Sequence, residues 1–209
     1  MPKYNIVISC DPGNTGGISV LEGKKQPQIY KIPLLEIVVN KKKKKIYDLD
    51  GISEILEPYR GKNVLFVQEK VSAMPGNGNV SMFNFGFSAG ATLGVAAGLR
   101  FDRCEVRPQT WKKHFPELNT SSIQDLKEEA KKLRVLAKTI KDKDEKKANK
   151  KELEKISRRV KTEAKDASRE IASERYPKLA HLFVKKNSDG LAESLLIAIF
   201  GKNKQDELV

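Results

Sequence analysis

The sequence predicts an α/β fold, in which a sheet is layered with helices and a charged helical hairpin projects late in the chain. Three observations lead to this prediction. Short apolar, β-branched runs alternate with helical patterns over the first half of the 209 residues. Residues 117–176 contain neither Gly nor Pro and consist mostly of helix formers, and a last apolar helix follows them.

The first half of the chain contains all the predicted strands. A turn-rich segment, DPGNTGG, separates the first two and makes them a hairpin. The five lysines at 41–45 are predicted to form an exposed loop, with a nuclear-import signal as an alternative function. Strands are predicted at residues 4–10, 18–21, 28–32, 64–68 and 101–107, and helices at 51–59, 80–99 and 108–115.

Two apolar stripes at helical spacing indicate an antiparallel helical hairpin, which reverses at the polar residues 141–147. Ser188 and Asp189 are predicted to cap a last helix that runs to about Phe200, with a frayed tail from Gly201 onward. The stripes are formed by Ile123, Leu126, Ala130, Leu133, Ala137 and Ile140, and by Leu153, Ile156, Val160, Ala164, Ala167 and Ile171.

The charge balance favours a polyanionic partner. Lys and Arg number 40 against 27 Asp and Glu, which gives a formal net charge of +13. Nucleic acid is the first candidate for that partner and an anionic membrane surface the second. The alternative is a solvated basic face with no partner.

Several classes of protein are not expected. No apolar run comes close to the roughly 20 residues that span a bilayer, and no export signal is expected. Cys10 and Cys104 are predicted core residues in a reducing compartment, and the isolated His114 and His181 make a zinc site or a Ser-His-Asp triad improbable. A cytoplasmic location is expected, at a nucleoid or a viral replication site, with the nucleus or an organelle left open.

Four carboxylates occupy informative positions. Asp11 and Glu69 each end a predicted buried strand, and Asp189 and Glu193 open the last helix on one face. If the two strands are neighbours, the four side chains meet at one edge of the sheet, where their repulsion would favour binding of hard cations such as Mg²⁺. Taken singly, Asp11 could be a turn former, Asp189 an N-cap and Glu193 a solvated residue.

At this point the motifs resemble those of RuvC-like Holliday-junction resolvases of the RNase H-like superfamily, especially the phage and viral branch. Five blocks occur in that family's order and span nearly the whole chain. They are residues 8–17 (ISCDPGNTGG), 68–71 (QEKV) with 74–76 (MPG), 81–86 (SMFNFG), 106–108 (VRP) with 111–113 (WKK), and 188–198 (SDGLAESLLIA).

The resemblance implies an RNase H-like mixed sheet flanked by helices, with Asp11, Glu69, Asp189 and Glu193 as catalytic carboxylates that bind two Mg²⁺ per site, or Mn²⁺ in their place. Many RuvC proteins have two aspartates three apart on the last helix, whereas Asp189 and Glu193 are four apart. Lys112 aligns with the family's lysine near the scissile phosphate and is the fifth predicted catalytic residue.

The resemblance also indicates where DNA would be contacted. Apolar side chains after Glu69 would unstack bases at the crossover, although three alternating Phe residues cannot share one helix face. Phe83 is the one expected to be exposed, and the small residues Gly86, Gly90, Gly94 and Ala97 would allow close helix packing, internally or across a dimer. The predicted DNA-binding residues are Lys70, Met74, Phe83, Phe85, Lys113 and Lys165.

Residues 118–161 depart from the compact family pattern and are predicted to be an inserted hairpin. The nuclease core would then comprise residues 1–117 and 162–201, and residues 202–209 a flexible tail. Residues 118–175 contain 18 basic and 12 acidic residues, a net charge of +6. The hairpin is expected either to lie along a DNA duplex or to be a solvated element packed on itself or on a second subunit.

The resemblance therefore implies a Mg²⁺-dependent crossover junction endodeoxyribonuclease. As a homodimer, it would resolve four-way or other branched DNA junctions by paired symmetric nicks. Two alternatives stay open. One is a non-catalytic junction-binding protein. The other is an ATPase of the actin or sugar-kinase type, against which the chain has no second Gly-rich phosphate loop.

Overall fold

The computed structural model describes residues 3–72 and 78–208, which form seven strands and six α-helices. The strands are β1 (Ile6–Asp11), β2 (Gly17–Glu22), β3 (Gln28–Lys31), β4 (Leu34–Val39), β5 (Lys42–Tyr47), β6 (Val64–Glu69) and β7 (Asp102–Val106). The helices are α1 (Leu49–Leu56), α2 (Asn79–Gly98), α3 (Pro108–Lys112), α4 (Ser121–Leu136), α5 (Lys143–Arg175) and α6 (Asp189–Leu208).

The main sheet has five strands in the order β3-β2-β1-β6-β7. β1 is antiparallel to β2 and parallel to β6, and β6 is parallel to β7. Helices α5 and α6 cover one face of the sheet, and α1 and α2 cover the other. Because both faces are covered, β1 and β6 are apolar along their length, as their sequences indicate. The predicted RNase H-like mixed sheet flanked by helices is confirmed.

The predicted loop at residues 41–45 is wrong. Lys41 lies in a tight turn, and the other four lysines belong to β5, which pairs with β4 in a separate antiparallel ribbon. Asn40 and Lys41 both have positive φ, 51° and 60°, as a tight type I′ hairpin turn requires. The lysines are extended because Leu34–Val39 offers them a partner strand, and Glu36 pairs with Lys43 at 2.7 Å.

The predicted frayed tail is also corrected, because α6 continues to Leu208. Gly201 lies inside this helix, where a Cβ would come within 2.7 Å of Val67. The glycine therefore permits close packing on the sheet instead of ending the helix. Gln205 is buried and accepts a hydrogen bond from the Tyr4 backbone N–H, which fixes the last turns to the start of β1.

The predicted hairpin is present as α4 and α5, which pack on each other through a small apolar core of Leu126, Ala130 and Ile156. The reversal comes earlier than predicted, because α5 already begins at Lys143. Asp142 caps this helix by accepting hydrogen bonds from the backbone N–H groups of Asp144 and Glu145 at 2.9 and 2.8 Å.

Helix α2 differs from the expectation that no segment approaches a membrane span. Among the described residues, α2 alone has the length and the apolar composition that could cross a bilayer. Its 20 residues include no charged side chain. One such helix is weak evidence for a span, since a helix that packs on a core meets the same criteria. α2 buries Ala89, Thr92 and Ala96 against the core, whereas most of its length is exposed.

Candidate active site

Asp11 and Glu69 lie side by side at one edge of the sheet. Each is the last residue of its strand, and the strands pair in parallel with Cys10 opposite Gln68. The carboxyl ends of neighbouring parallel strands meet at the same edge, which is where α/β proteins commonly place their sites. The sequence therefore predicted the relative position of these two carboxylates correctly.

Glycines let α6 begin beside the same edge. A Cβ on Gly190 would lie 2.2 Å from the Thr15 carbonyl oxygen, and a Cβ on Gly16 would lie 2.0 Å from that of Asp11. Gly16 and Gly190 instead form a backbone bridge between the β1–β2 turn and the first turn of α6. This close approach brings Asp189 and Glu193 to the edge that holds Asp11 and Glu69.

A buried hydroxyl network fixes the register of α6 on the sheet. Ser9 Oγ in β1 donates to the Ser194 carbonyl at 2.6 Å, and the hydroxyls of Ser19 and Ser194 are 2.7 Å apart. All three serines are fully buried. Since Ser194 directly follows Glu193, the network also sets the position of that carboxylate; the sequence analysis did not find it.

Ser194→Ala tests this network. It would leave a buried Ser19 hydroxyl without its partner, so we expect the free energy of unfolding to fall by about 1–2 kcal/mol. For a chain of this size that corresponds to a fall in Tm of about 2–8 °C, measurable by calorimetry. Ser173→Ala is the control, because within residues 3–72 and 78–208 the Ser173 hydroxyl bonds only to the Arg169 carbonyl of its own helix. Equal Tm changes in the two variants would contradict the assigned role.

The four carboxylates influence one another electrostatically. Burial raises the pKa of Asp11 well above its usual value, and the charges of Glu193, Glu69 and Asp189 raise it further, while Lys112 opposes them. Burial likewise raises the pKa of Glu69. Both shifts have the direction that burial and repulsion between neighbouring carboxylates produce.

Two lysines partly neutralise the cluster. Lys112 Nζ pairs with Glu193 Oε1 at 2.8 Å, and Lys165 Nζ, from α5, pairs with Asp189 Oδ2 at 2.7 Å. Burial lowers the pKa of Lys112, but Glu193, Glu69 and Asp11 outweigh that effect and the net pKa is raised. Lys112 is therefore a stable cation beside the carboxylates.

Trp111 is a site residue whose role the sequence did not reveal. Its indole is fully buried, and its Nε1–H donates to Glu69 Oε2 at 2.7 Å. The Lys112 ammonium lies 4.9 Å from the centre of the same indole ring. A tryptophan next to a lysine in an otherwise polar segment was the available signal. Trp111 orients Glu69, and Ser168 Oγ, 3.4 Å from Glu193 Oε1, adds a contact from α5.

The donor set fits a hard divalent cation by its chemistry, since all four side chains offer carboxylate oxygens and their mutual repulsion would be relieved by positive charge. Within residues 3–72 and 78–208, however, no group of three or more His, Cys, Asp or Glu side chains stands in an arrangement ready to hold a metal. Trp111, Lys112 and Lys165 engage Glu69, Glu193 and Asp189 respectively. Ion binding would therefore require these two lysines to release their carboxylates.

Several of the residues predicted to contact DNA are exposed or lie near this edge. Lys70 directly follows Glu69 and is exposed, as is Lys113 beside Lys112. Phe83 is 72% exposed, as expected, and Phe85 is half-buried, near Gly13 in the turn after Asp11. Met74 lies outside the described residues.

One side of α2 is open. Cβ atoms built on Gly86, Gly90 and Gly94 would meet nothing within 4 Å in the described part of the chain, so this glycine side is not used for internal packing. Phe87 is 65% exposed and stacks on Phe83, with ring centres 6.5 Å apart. On the opposite side, Thr92 Oγ1 bonds to Gln68 Oε1, which fixes α2 to β6 directly before Glu69.

The chain was compared with protein families, curated protein sequences and solved structures, and only the solved structures gave matches. No family model matches the chain, and neither does any curated protein sequence. RuvC of T. thermophilus in complex with a Holliday junction substrate is similar over 97% of this chain and 96% of its own, with 12% identity and a TM-score of 0.47. A second Thermus thermophilus RuvC structure covers 52% of this chain and 67% of its own, with 19% identity and a TM-score of 0.33.

Proposed function

We propose that this chain is a divalent-metal-dependent, structure-selective endonuclease that resolves four-way (Holliday) or other branched DNA junctions. The observation that carries the proposal is geometric. Asp11 and Glu69 end neighbouring parallel strands, and Asp189 and Glu193 open the helix that is bridged to the same edge, each paired with a lysine. The net charge of +13 supports a nucleic-acid substrate. The motif resemblance and the RuvC-like fold support a junction as that substrate.

The four carboxylates would hold two Mg²⁺ ions, with Mn²⁺ as a substitute. When bound, Mg²⁺ would supply a Lewis acid that lowers the pKa of water and neutralises charge on the leaving oxygen at phosphorus. The protein's own contribution is positioning: Trp111 orients Glu69 through its hydrogen bond, and the serine network orients Glu193.

Lys112 and Lys165 would exchange partners when substrate binds. In this structure each neutralises one carboxylate. Once the carboxylates are neutralised by metal, the two ammonium groups would be released toward the scissile phosphate. A lysine ammonium is a compact charge suited to a phosphate oxygen that gains negative charge during in-line attack.

Two symmetric nicks need two active sites, so we propose that the chain acts as a homodimer. The open glycine side of α2 and the adjacent Phe83 and Phe87 are the proposed contact, because small residues let two helices approach closely and apolar area there is uncovered.

Gly90→Leu tests this contact. A side chain at Gly90 has free space within the described chain, so the fold should tolerate it, and loss of a helical glycine should stabilise α2 by about 0.5–1 kcal/mol. Across a close helix pair the same side chain would clash. In sedimentation experiments we expect the wild type to be a dimer and Gly90→Leu to be a monomer. Ala97→Ser, a small change on an exposed position, is the control that should stay dimeric; a dimeric Gly90→Leu variant would contradict the proposal.

The catalytic proposal is tested by incubating a labelled four-way junction with the protein and Mg²⁺, with and without EDTA. We expect nicks at symmetric positions on two strands, which disappear with EDTA. A second function, metal-independent junction binding without cleavage, is favoured by the engagement of three carboxylates with Trp111, Lys112 and Lys165. Tight binding in EDTA together with no cleavage in Mg²⁺ or Mn²⁺ would establish that second function.

A further inference from the structure

Most of the chain's excess charge is concentrated on the outer part of the α4–α5 hairpin. Residues 131–161 include fourteen Lys and Arg but five Asp and Glu, a net charge of +9. All fourteen basic residues are exposed. Of these, only Lys131, Lys155, Arg158 and Arg159 lie within 4.0 Å of a carboxylate in the part of the chain that the structure describes. The base of the hairpin, in contrast, is slightly acidic.

Some of the basic side chains share one side of the hairpin. On α4, Lys127, Lys131 and Arg134 recur at spacings of four and three residues, which places them in one row along the helix. Arg134 lines a shallow cleft with Lys150, Arg158 and Lys161 of α5, and Glu154 is the one acidic residue in its lining. We call this surface the basic arm face, and it consists of Lys127, Lys131 and Arg134 on α4 and Lys150, Arg158 and Lys161 on α5.

A groove lies between the basic arm face and the carboxylates. It has a volume of about 490 Å³ between α3 and the hairpin, and its mostly apolar lining includes Lys112, Lys113 and Lys127. Lys112 is the residue that pairs with Glu193, and Lys127 belongs to the basic arm face. Lysines therefore occur at intervals from the candidate active site to the arm, and the face extends about 17 Å along α5, the length of about five base pairs.

We propose that the basic arm face binds the phosphate backbone of a DNA duplex and holds one arm of the substrate beside the carboxylates. The inference rests on the proposed function for the identity of the substrate. Residues 118–175 include no aromatic side chain, so the arm offers no platform for stacking unpaired bases, and a single strand fits it less well. A second copy of the chain also fits poorly, since the two hairpins, each with a net charge of +9 over residues 131–161, would repel each other.

The test measures binding to a 30-base-pair duplex in EDTA by fluorescence anisotropy over a series of salt concentrations. The arm variant replaces Arg134, Lys150, Arg158 and Lys161 with Gln. The control variant replaces Lys24, Lys62, Lys178 and Lys204 with Gln, which removes the same charge; Lys24 and Lys62 lie beside the amino ends of β1 and β6, opposite the carboxylates. Thermal melting establishes that both variants are folded.

For the arm variant we expect at least a tenfold loss of affinity at about 0.1 M salt, and a salt dependence of log K that is shallower by about 3. The control should change that slope by less than about 1. Arg134→Lys with Arg158→Lys should bind like the wild type, because phosphate contacts need charge and not a particular side chain.

An unchanged slope in the arm variant would overturn the inference, and so would a changed oligomeric state that accounts for the lost affinity. Cleavage of a junction in Mg²⁺ is measured separately. Wild-type cleavage with an unchanged arm-variant slope would refute the arm and leave the nuclease intact. A reduced slope without any wild-type cleavage would refute the nuclease and support the arm.

Discussion

Asp11→Asn is expected to abolish junction cleavage and, in the same protein, to raise the stability of the metal-free fold. Asp11 interacts electrostatically with the other three carboxylates and with Lys112. Loss of its charge should therefore reduce the single-turnover cleavage rate at least 10³-fold. The same charge is unfavourable without metal, because burial and three neighbouring carboxylates raise the pKa of Asp11. Its removal should stabilise the metal-free protein by about 1 kcal/mol, a rise in Tm of about 2–4 °C.

The pH dependence of this gain has a definite sign. A carboxyl group whose pKa is raised by folding binds its proton more tightly in the folded state than in the unfolded state. The stability that it contributes is therefore present below the unfolded pKa of about 4 and is lost as the pH rises through the folded pKa.

The Tm difference between Asp11→Asn and the wild type should accordingly vanish near pH 3.5 and be largest at neutral pH. Asp206→Asn, an exposed position late in α6, is the control that should change neither cleavage nor Tm. Lower stability of Asp11→Asn than of the wild type at pH 7 would show that Asp11 is not held in a repulsive cluster.

Lys112→Met should have the opposite effect on stability and a similar effect on cleavage. The variant leaves Glu193 inside the carboxylate cluster without its cation. Because Lys112 is itself 37% exposed, we expect a loss of about 1–2 kcal/mol, smaller than for a fully buried pair. Cleavage should fall about 10²–10³-fold, since one cation at the scissile phosphate is lost.

Lys113→Met provides the matched control, because it removes the same charge from the exposed neighbouring residue. It should weaken DNA binding slightly and leave Tm unchanged. Addition of Mg²⁺ should restore much of the Tm lost by Lys112→Met, because metal would replace the missing positive charge. Equal Tm values for the two lysine variants would contradict the role assigned to the Lys112–Glu193 pair.

The sequence predicted the sheet and its acidic edge because both follow from local patterns. The apolar runs that became β1 and β6 are buried on both faces of the sheet, and each ends directly at its carboxylate. The sequence indicated a turn at Gly16 and Gly17, and the structure adds that Gly16 closely approaches Gly190 at the start of α6. The hairpin stripes likewise became the α4–α5 core.

The wrong predictions concern segments whose conformation is determined by contacts with residues distant in sequence. Five lysines have no intrinsic preference for a strand, and residues 42–45 form one because β4 lies opposite them. In the sequence, Gly201 is typical of a helix end. In the structure it lies within α6, where its missing side chain leaves room for Val67 and Val7. The hydrogen bond from Trp111 to Glu69 joins residues that are 42 positions apart, and a pair so distant cannot be predicted from a periodic sequence pattern.

The central claim is that carboxylates from three separate parts of the chain form one site for divalent cations. Calorimetric titration of the metal-free protein with Mn²⁺ at neutral pH tests it most directly. We expect two ions to bind per chain, and Asp11→Asn to weaken that binding at least tenfold while Asp206→Asn leaves it unchanged. Absence of Mn²⁺ binding, or binding that is the same in Asp11→Asn and the wild type, would contradict the claim.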